Sequence, residues 1–167
     1  MSGEGRYLDD YARELAEDGE RAFRRRHAAP VLIVSGKSTR KRQRGTAIKT
    51  ATDRPTLHGL LNRVFPLVKS SEAEGGPVVI GRADGHGVDV AIPDPSISKR
   101  HCAFTANGAA VVVGDYGSTN GTAVNGARVG DQPARLAGGE TITLGRLQLT
   151  FETAAGFLEL VAKLGPR

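Results

Sequence analysis

The chain has 167 residues, a net charge of +5, 25% charged residues and one cysteine. That length buries a core without metal or disulfide support, and a lone cysteine excludes an internal disulfide framework, a CxxC pair and a zinc finger. The basic balance favours anionic partners, and no apolar run approaches the ~18–20 residues that a bilayer span needs.

The first fifteen residues, MSGEGRYLDDYAREL, place acids early and lack an apolar core, so they are not read as a secretory signal. A cytoplasmic location is expected. Residues 5–28 predict an amphipathic helix, with Leu8, Tyr11, Leu15, Ala22 and Phe23 on one stripe. Asp9, Asp10 and Glu14 crowd its start and Arg24, Arg25 and Arg26 its end, which suits the helix dipole. Gly19 weakens it and Pro30 stops it. Val31–Val34 reads as one short strand. Residues 35–55 are polar and basic and read as a mobile loop. The run Val31 to Ser38 imitates a strand entering a P-loop, but Val31 stands where that pattern requires glycine. Residues 56–63 suggest a turn or two of helix behind Thr56.

From residue 64 the texture changes to short β-rich runs cut by Gly, Asp, Asn and Pro, an all-β signal of sandwich or barrel type. Asn107-Gly108, Asn125-Gly126 and Gly138-Gly139 have the composition of hairpin turns. After Phe151 the pattern switches to a helix, with Phe157, Leu158, Val161 and Leu164 on one face and Gly165-Pro166 at its end.

The chemistry-bearing residues lie between those runs: Gly81-Arg82, then Ser96-Ile-Ser98-Lys99-Arg100-His101, then Asp115 leading to Ser118-Thr119-Asn120-Gly121-Thr122. They place a fixed cation, several hydroxyls and a carboxamide on loops, with no convincing nucleophile, metal cage or catalytic carboxylate pair. In this order, and followed by Asn125-Gly126, Leu136 to Glu140 and Leu144-Gly145, they resemble the forkhead-associated (FHA) domain. The resemblance covers residues 64–153. It implies an all-β, FHA-like antiparallel β-sandwich of the SMAD/FHA type that binds phosphothreonine.

By that resemblance Arg82 and Ser98 hold the phosphate. An arginine fork and a short hydroxyl suit three acceptor oxygens. Lys99 adds charge or bonds the peptide backbone. Thr119 donates to phosphate or backbone, and Asn120 clamps a peptide unit through its carbonyl and NH2 groups. Ser96, with residues 123–126, is assigned to reading side chains beyond the phosphothreonine. Gly81, His101, Gly121 and Thr122 support the loops: His101 by ring hydrogen bonds, Gly121 by a positive φ, Thr122 by restarting a strand. Ser118 caps its own loop. Asp89 and Asp115 order their turns. Cys102 has no assigned redox role.

The reading divides the chain into an N-terminal helical and basic extension (1–62), the sandwich (63–153) and a short C-terminal helix (154–167). It expects a non-catalytic phosphopeptide-binding module of serine/threonine-kinase signal transduction, needing no cofactor or metal. Its partners are phosphothreonine-bearing proteins, the kinase or its substrates, with no membrane. The alternative is a scaffold whose basic stretch Arg24–Arg44 binds nucleic acid or an acidic protein. Nucleic acid is disfavoured, because that stretch holds no aromatic for base stacking. No feature of the chain sets an oligomeric state.

Overall fold

A computed structural model describes residues 5–37, 59–70, 75–83 and 85–166. The chain begins with β1 (Arg6–Tyr7), α1 (Leu8–Asp18), α2 (Glu20–Arg26), β2 (Val31–Lys37) and β3 (Arg63–Pro66). Next come β4 (Val78–Gly81), β5 (Val90–Ala91), β6 (Cys102–Asn107) and β7 (Ala110–Asp115). Then follow β8 (Thr122–Val124), β9 (Ala127–Arg128), β10 (Ala134–Leu136), β11 (Thr141–Leu144), β12 (Leu147–Glu152) and α3 (Ala154–Leu164). One sheet runs β1-β3-β2-β12-β11-β8-β9 and the other β10-β7-β6-β4-β5. All pairings are antiparallel except β4 with β5.

Period-two alternation builds the core between the sheets. Along β12, Leu147, Leu149 and Phe151 are fully buried, while Gln148, Thr150 and Glu152 are not. They meet Ile80, Phe104 and Val113 of the opposite sheet, with Phe104 and Phe151 stacked at 6.2 Å between ring centroids.

A second core lies on the outer face of the larger sheet. Val31, Ile33 and Val64 pack there against Leu8, Tyr11, Phe23, Phe157, Leu158 and Val161 of the helices. Strand β2 therefore serves both cores, Leu32 and Val34 facing inward and Val31 and Ile33 outward. That is why Val31–Val34 is apolar without alternation.

Several expectations change in the fold. The predicted 5–28 helix is two helices, because Gly19 adopts φ +78° and ψ 164°, outside helical space. The strand expected over 31–34 continues to Lys37, where β2 pairs with β12 across a bulge between Gln148 and Leu149. Backbone pairing needs no apolar side chains, so the polar Ser35–Lys37 gave no strand signal. In the described part of the 56–63 segment, residues 59–62 form a turn and not a helix, with Asn62 at φ +62°, and Arg63 already opens β3. The remainder of the expected mobile loop, with the basic run through Arg44, lies outside the described residues. Gly138-Gly139 is not a hairpin turn, since β10 and β11 lie in different sheets. The boundary drawn at 62/63 falls within one sheet: β2 is an interior strand, hydrogen-bonded to β3 on one side and β12 on the other.

Candidate functional site

The loops after β4, before β6 and after β7 meet at one end of the sandwich. Strand β4 ends at Gly81, where a Cβ would stand only 1.9 Å from the Lys99 carbonyl oxygen. Glycine alone lets the two backbones approach so closely. The next residue, Arg82, donates its backbone N–H to the Ser98 carbonyl at 3.0 Å. The phosphate-candidate arginine and serine are thus joined through their main chains.

His101 is wholly buried beneath this junction. Its Nδ1 accepts from the Ser98 N–H and its Nε2–H donates to the Gly121 carbonyl, both at 3.0 Å. These bonds define one neutral tautomer. Burial pushes its pKa below the usual histidine value, and the Gly121 bond and the nearby Asp115 charge only partly oppose this. The ring joins the Ser98 loop to the Asn120 loop.

Asp115 organises the second loop. Its Oδ2 accepts from the Ser118 N–H at 2.9 Å. Its Oδ1 accepts from the Ser118 hydroxyl at 2.6 Å and the Thr122 hydroxyl at 2.7 Å. Burial raises the carboxyl's pKa, but these donors outweigh it and hold the group below its usual range. Ser118 Oγ in turn accepts from Gly121 N–H at 2.9 Å, and Gly121 turns the chain at φ +83°. Asp89 does similar work elsewhere, accepting from Val79 and Ser70.

On this frame the Ser98 hydroxyl accepts from the Thr119 N–H at 3.0 Å. That bond occupies an oxygen lone pair and leaves the hydroxyl hydrogen to donate outward. Asn120 donates Nδ2–H to the Ser96 carbonyl at 2.8 Å, so its own carbonyl can face a ligand amide. Lys99, Thr119 and Asn120 are exposed. Arg82, Ser98, Thr119 and Asn120 are therefore brought together, with Lys99 beside them in the chain.

Ser96 differs from the expected side-chain reader. Its hydroxyl donates to Asp94 Oδ1 at 2.7 Å and accepts from the Arg146 N–H at 3.0 Å. Both bonds lie within the protein, so the hydroxyl is a strut under the loop. Asp94, fully buried, also accepts from the Ser96 N–H and pairs with Arg146 Nε at 3.1 Å. The sequence reading missed both residues. Asp94-Pro-Ser96 is a legible Asx turn, whereas Arg146 lies 50 residues from Ser96 and carries no local signal. Two rim features were also missed: Arg100, whose guanidinium lies 5.1 Å above the half-exposed Tyr116 ring, and Arg128. Cys102 is fully buried and its thiol pKa is pushed up by that burial, which leaves it unreactive.

Residues 78–145 match the family model for the FHA domain. Over 82 residues the chain is 37% identical to an ABC transporter ATP-binding/permease protein of Mycobacterium tuberculosis, covering 49% of this chain and 9% of the relative. It is 38% identical over 74 residues to the FHA domain-containing protein FhaA of the same organism, covering 44% of this chain and 13% of FhaA. The chain thus spans a small fraction of the length of these relatives. Among solved structures, the FHA domain of the CT664 protein from Chlamydia trachomatis aligns with a TM-score of 0.50 at 21% identity. That alignment covers 74% of this chain and 96% of that one, and it shows the fold. Among the described residues, no helix is long and apolar enough to cross a membrane.

Proposed function

The chain carries an FHA domain, and from that premise we propose that its loop end binds phosphothreonine on proteins marked by a serine/threonine kinase. Arg82 and Ser98 take the phosphate oxygens, Lys99 adds positive charge, Thr119 donates at the same rim, and Asn120 holds the ligand backbone. Ser96, Gly81, His101, Gly121 and Thr122 position them. The module binds and does not catalyse, and its place is the cytoplasm. Its binding unit includes β2 and the helices, because β8, which starts at Thr122 just after Asn120, lies in the sheet whose interior strand β2 packs against them.

One observation carries this reading. The Ser98 carbonyl accepts from Arg82 N–H and the Ser98 hydroxyl from Thr119 N–H, each at 3.0 Å, next in sequence to Asn120. These main-chain and hydroxyl bonds hold the Arg82, Ser98 and Asn120 positions side by side at one end of the sandwich, which supports a shared grip on one anion. Three or four charge-assisted hydrogen bonds, each worth roughly 1.5–3 kcal/mol, give affinity near the micromolar range once ordering is subtracted.

The test compares phosphothreonine peptides with phosphoserine and unphosphorylated copies by calorimetry. Phosphothreonine should bind best, and Arg82→Ala should weaken it by about 2–5 kcal/mol. Equal binding of phosphorylated and plain peptides, or full affinity in Arg82→Ala, sinks the reading.

A further inference from the structure

A small cleft adjoins the loop end. It has a volume of about 50 Å³ and is lined by Asn120, Gly121, Thr122, Ala123, Arg128, Thr143 and Gly145. Its origin lies in the register of the larger sheet. Arg128 pairs with Ala123, and Ala123 with Thr143. Directly paired residues share a sheet face, so the three form one row. Leu144 and Thr122, buried in the next row, point the other way, which puts Arg128, Ala123 and Thr143 on the outer surface. The helices cover β2 and β3 on this face and not β8 or β9.

Small residues leave the space open. Ala123 has only a methyl group, and Gly121 has none. A Cβ on Gly121 would stand 3.0 Å from both Cζ and Nη2 of Arg128. The guanidinium therefore lies against the bare face of Gly121, immediately beside Asn120. Among the described residues Arg128 has no carboxylate partner. By contrast Arg146, on the same side of the loop end, is paired with Asp94. A guanidinium that is positioned by packing, lacks an internal acid and borders the ligand-holding turn matches a carboxylate by fork geometry and charge.

We propose that the cleft between Arg128, Ala123 and Asn120 is a subsite for an aspartate or glutamate side chain of the bound phosphopeptide. The inference deepens the phosphothreonine reading and rests on it. The Arg82 side takes the phosphate, and the Arg128 cleft selects, among phosphorylated sequences, those with an acid at one fixed spacing. Rim pairs of this kind are modest in water, so the selection is a graded preference.

The experiment uses the full chain and a phosphothreonine peptide with alanine at every flanking position. A single aspartate is moved through each flanking position in turn. One position should bind about three- to tenfold tighter than its alanine copy. In Arg128→Ala that aspartate-to-alanine ratio should fall to one, in Arg128→Lys it should fall partway, and in Arg128→Glu lysine should be preferred at that position. Arg128 is exposed, so these variants keep the fold. A uniform response to aspartate, or a preference that survives Arg128→Ala, overturns the subsite alone. Failure of the all-alanine phosphopeptide to bind overturns the phosphothreonine reading and the subsite with it.

Discussion

The two ends of the larger sheet are held by opposite chemistry. At the loop end, the buried polar residues Asp94, His101, Ser118 and Thr122 lie beneath the binding loops, each with hydrogen-bond partners. Under the helices, by contrast, the buried set is apolar and aromatic: Tyr11 meets Phe157 edge-on at 5.1 Å, and Phe23 meets it at 5.9 Å. The charged groups there line its border, with the half-buried Glu14 pairing with Arg6 and Arg26 and bonded to His27 Nε2, and Asp18 also paired with Arg26. Apolar packing supplies stability but tolerates small shifts. A hydrogen-bonded polar frame sets position, because its bonds weaken steeply with angle and distance. The end proposed to present donors to a phosphate has the directional frame.

Breaking each end should therefore read out differently. Phe157→Ala empties the centre of the helical core and should cost about 3–5 kcal/mol of stability by denaturant unfolding. The folded fraction should keep its phosphopeptide affinity. His101→Ala removes one partner each from the Ser98 N–H and the Gly121 carbonyl. It should cost about 2–4 kcal/mol and, unlike Phe157→Ala, also weaken the phosphopeptide by roughly tenfold or more, since both ligand loops are released. Equal effects of the two variants on affinity would erase the distinction.

Acid should sharpen the comparison, with a smaller effect. His101 has a folded pKa below its usual 6.5, so between those two values the unfolded chain binds more protons. Its contribution is full above about pH 6.5 and is lost as pH falls toward the folded value. Burial works to raise the pKa of Glu14, but its bonds from His27, Arg6 and Arg26 outweigh that and bring it down to about 2 from 4.5. Its contribution is full above that ordinary value and fades only as pH falls toward 2. As pH falls below about 6.5 the loop end should weaken while the Glu14 pairs, which fade only toward pH 2, stay intact. Stability of the unliganded chain should fall there by less than ~1.4 kcal/mol per pH unit. His101→Ala should flatten that slope, and Glu14→Gln should alter only the slope at lower pH. Omitting the ligand matters, because a phosphate monoester itself titrates near pH 6.

Much of the loop end was legible because its frame is local. Asp115, Ser118, Gly121 and Thr122 bond within seven residues of one another, and turn chemistry of that range is written in consecutive letters. Ser96 was misplaced for the opposite reason. Its hydroxyl partner Arg146 comes from the far end of the sandwich sequence, and nothing beside Ser96 announces it. The helical end was half legible: the apolar stripe of Leu8, Tyr11 and Phe23 was visible, but the break at Gly19 and the surface it covers were not.

By itself the sequence determined the β texture, the amphipathic helices and the identity of the candidate phosphate-holding groups, since these depend on residue type and short spacing. Only the tertiary structure decided that Val31–Lys37 is an interior strand, that Ser96 faces inward to Asp94 and Arg146, and that Arg128 lies open beside Asn120. Those outcomes depend on which distant segments meet, and for Arg128 also on strand register, since a shift of one residue would have turned its side chain to the other face.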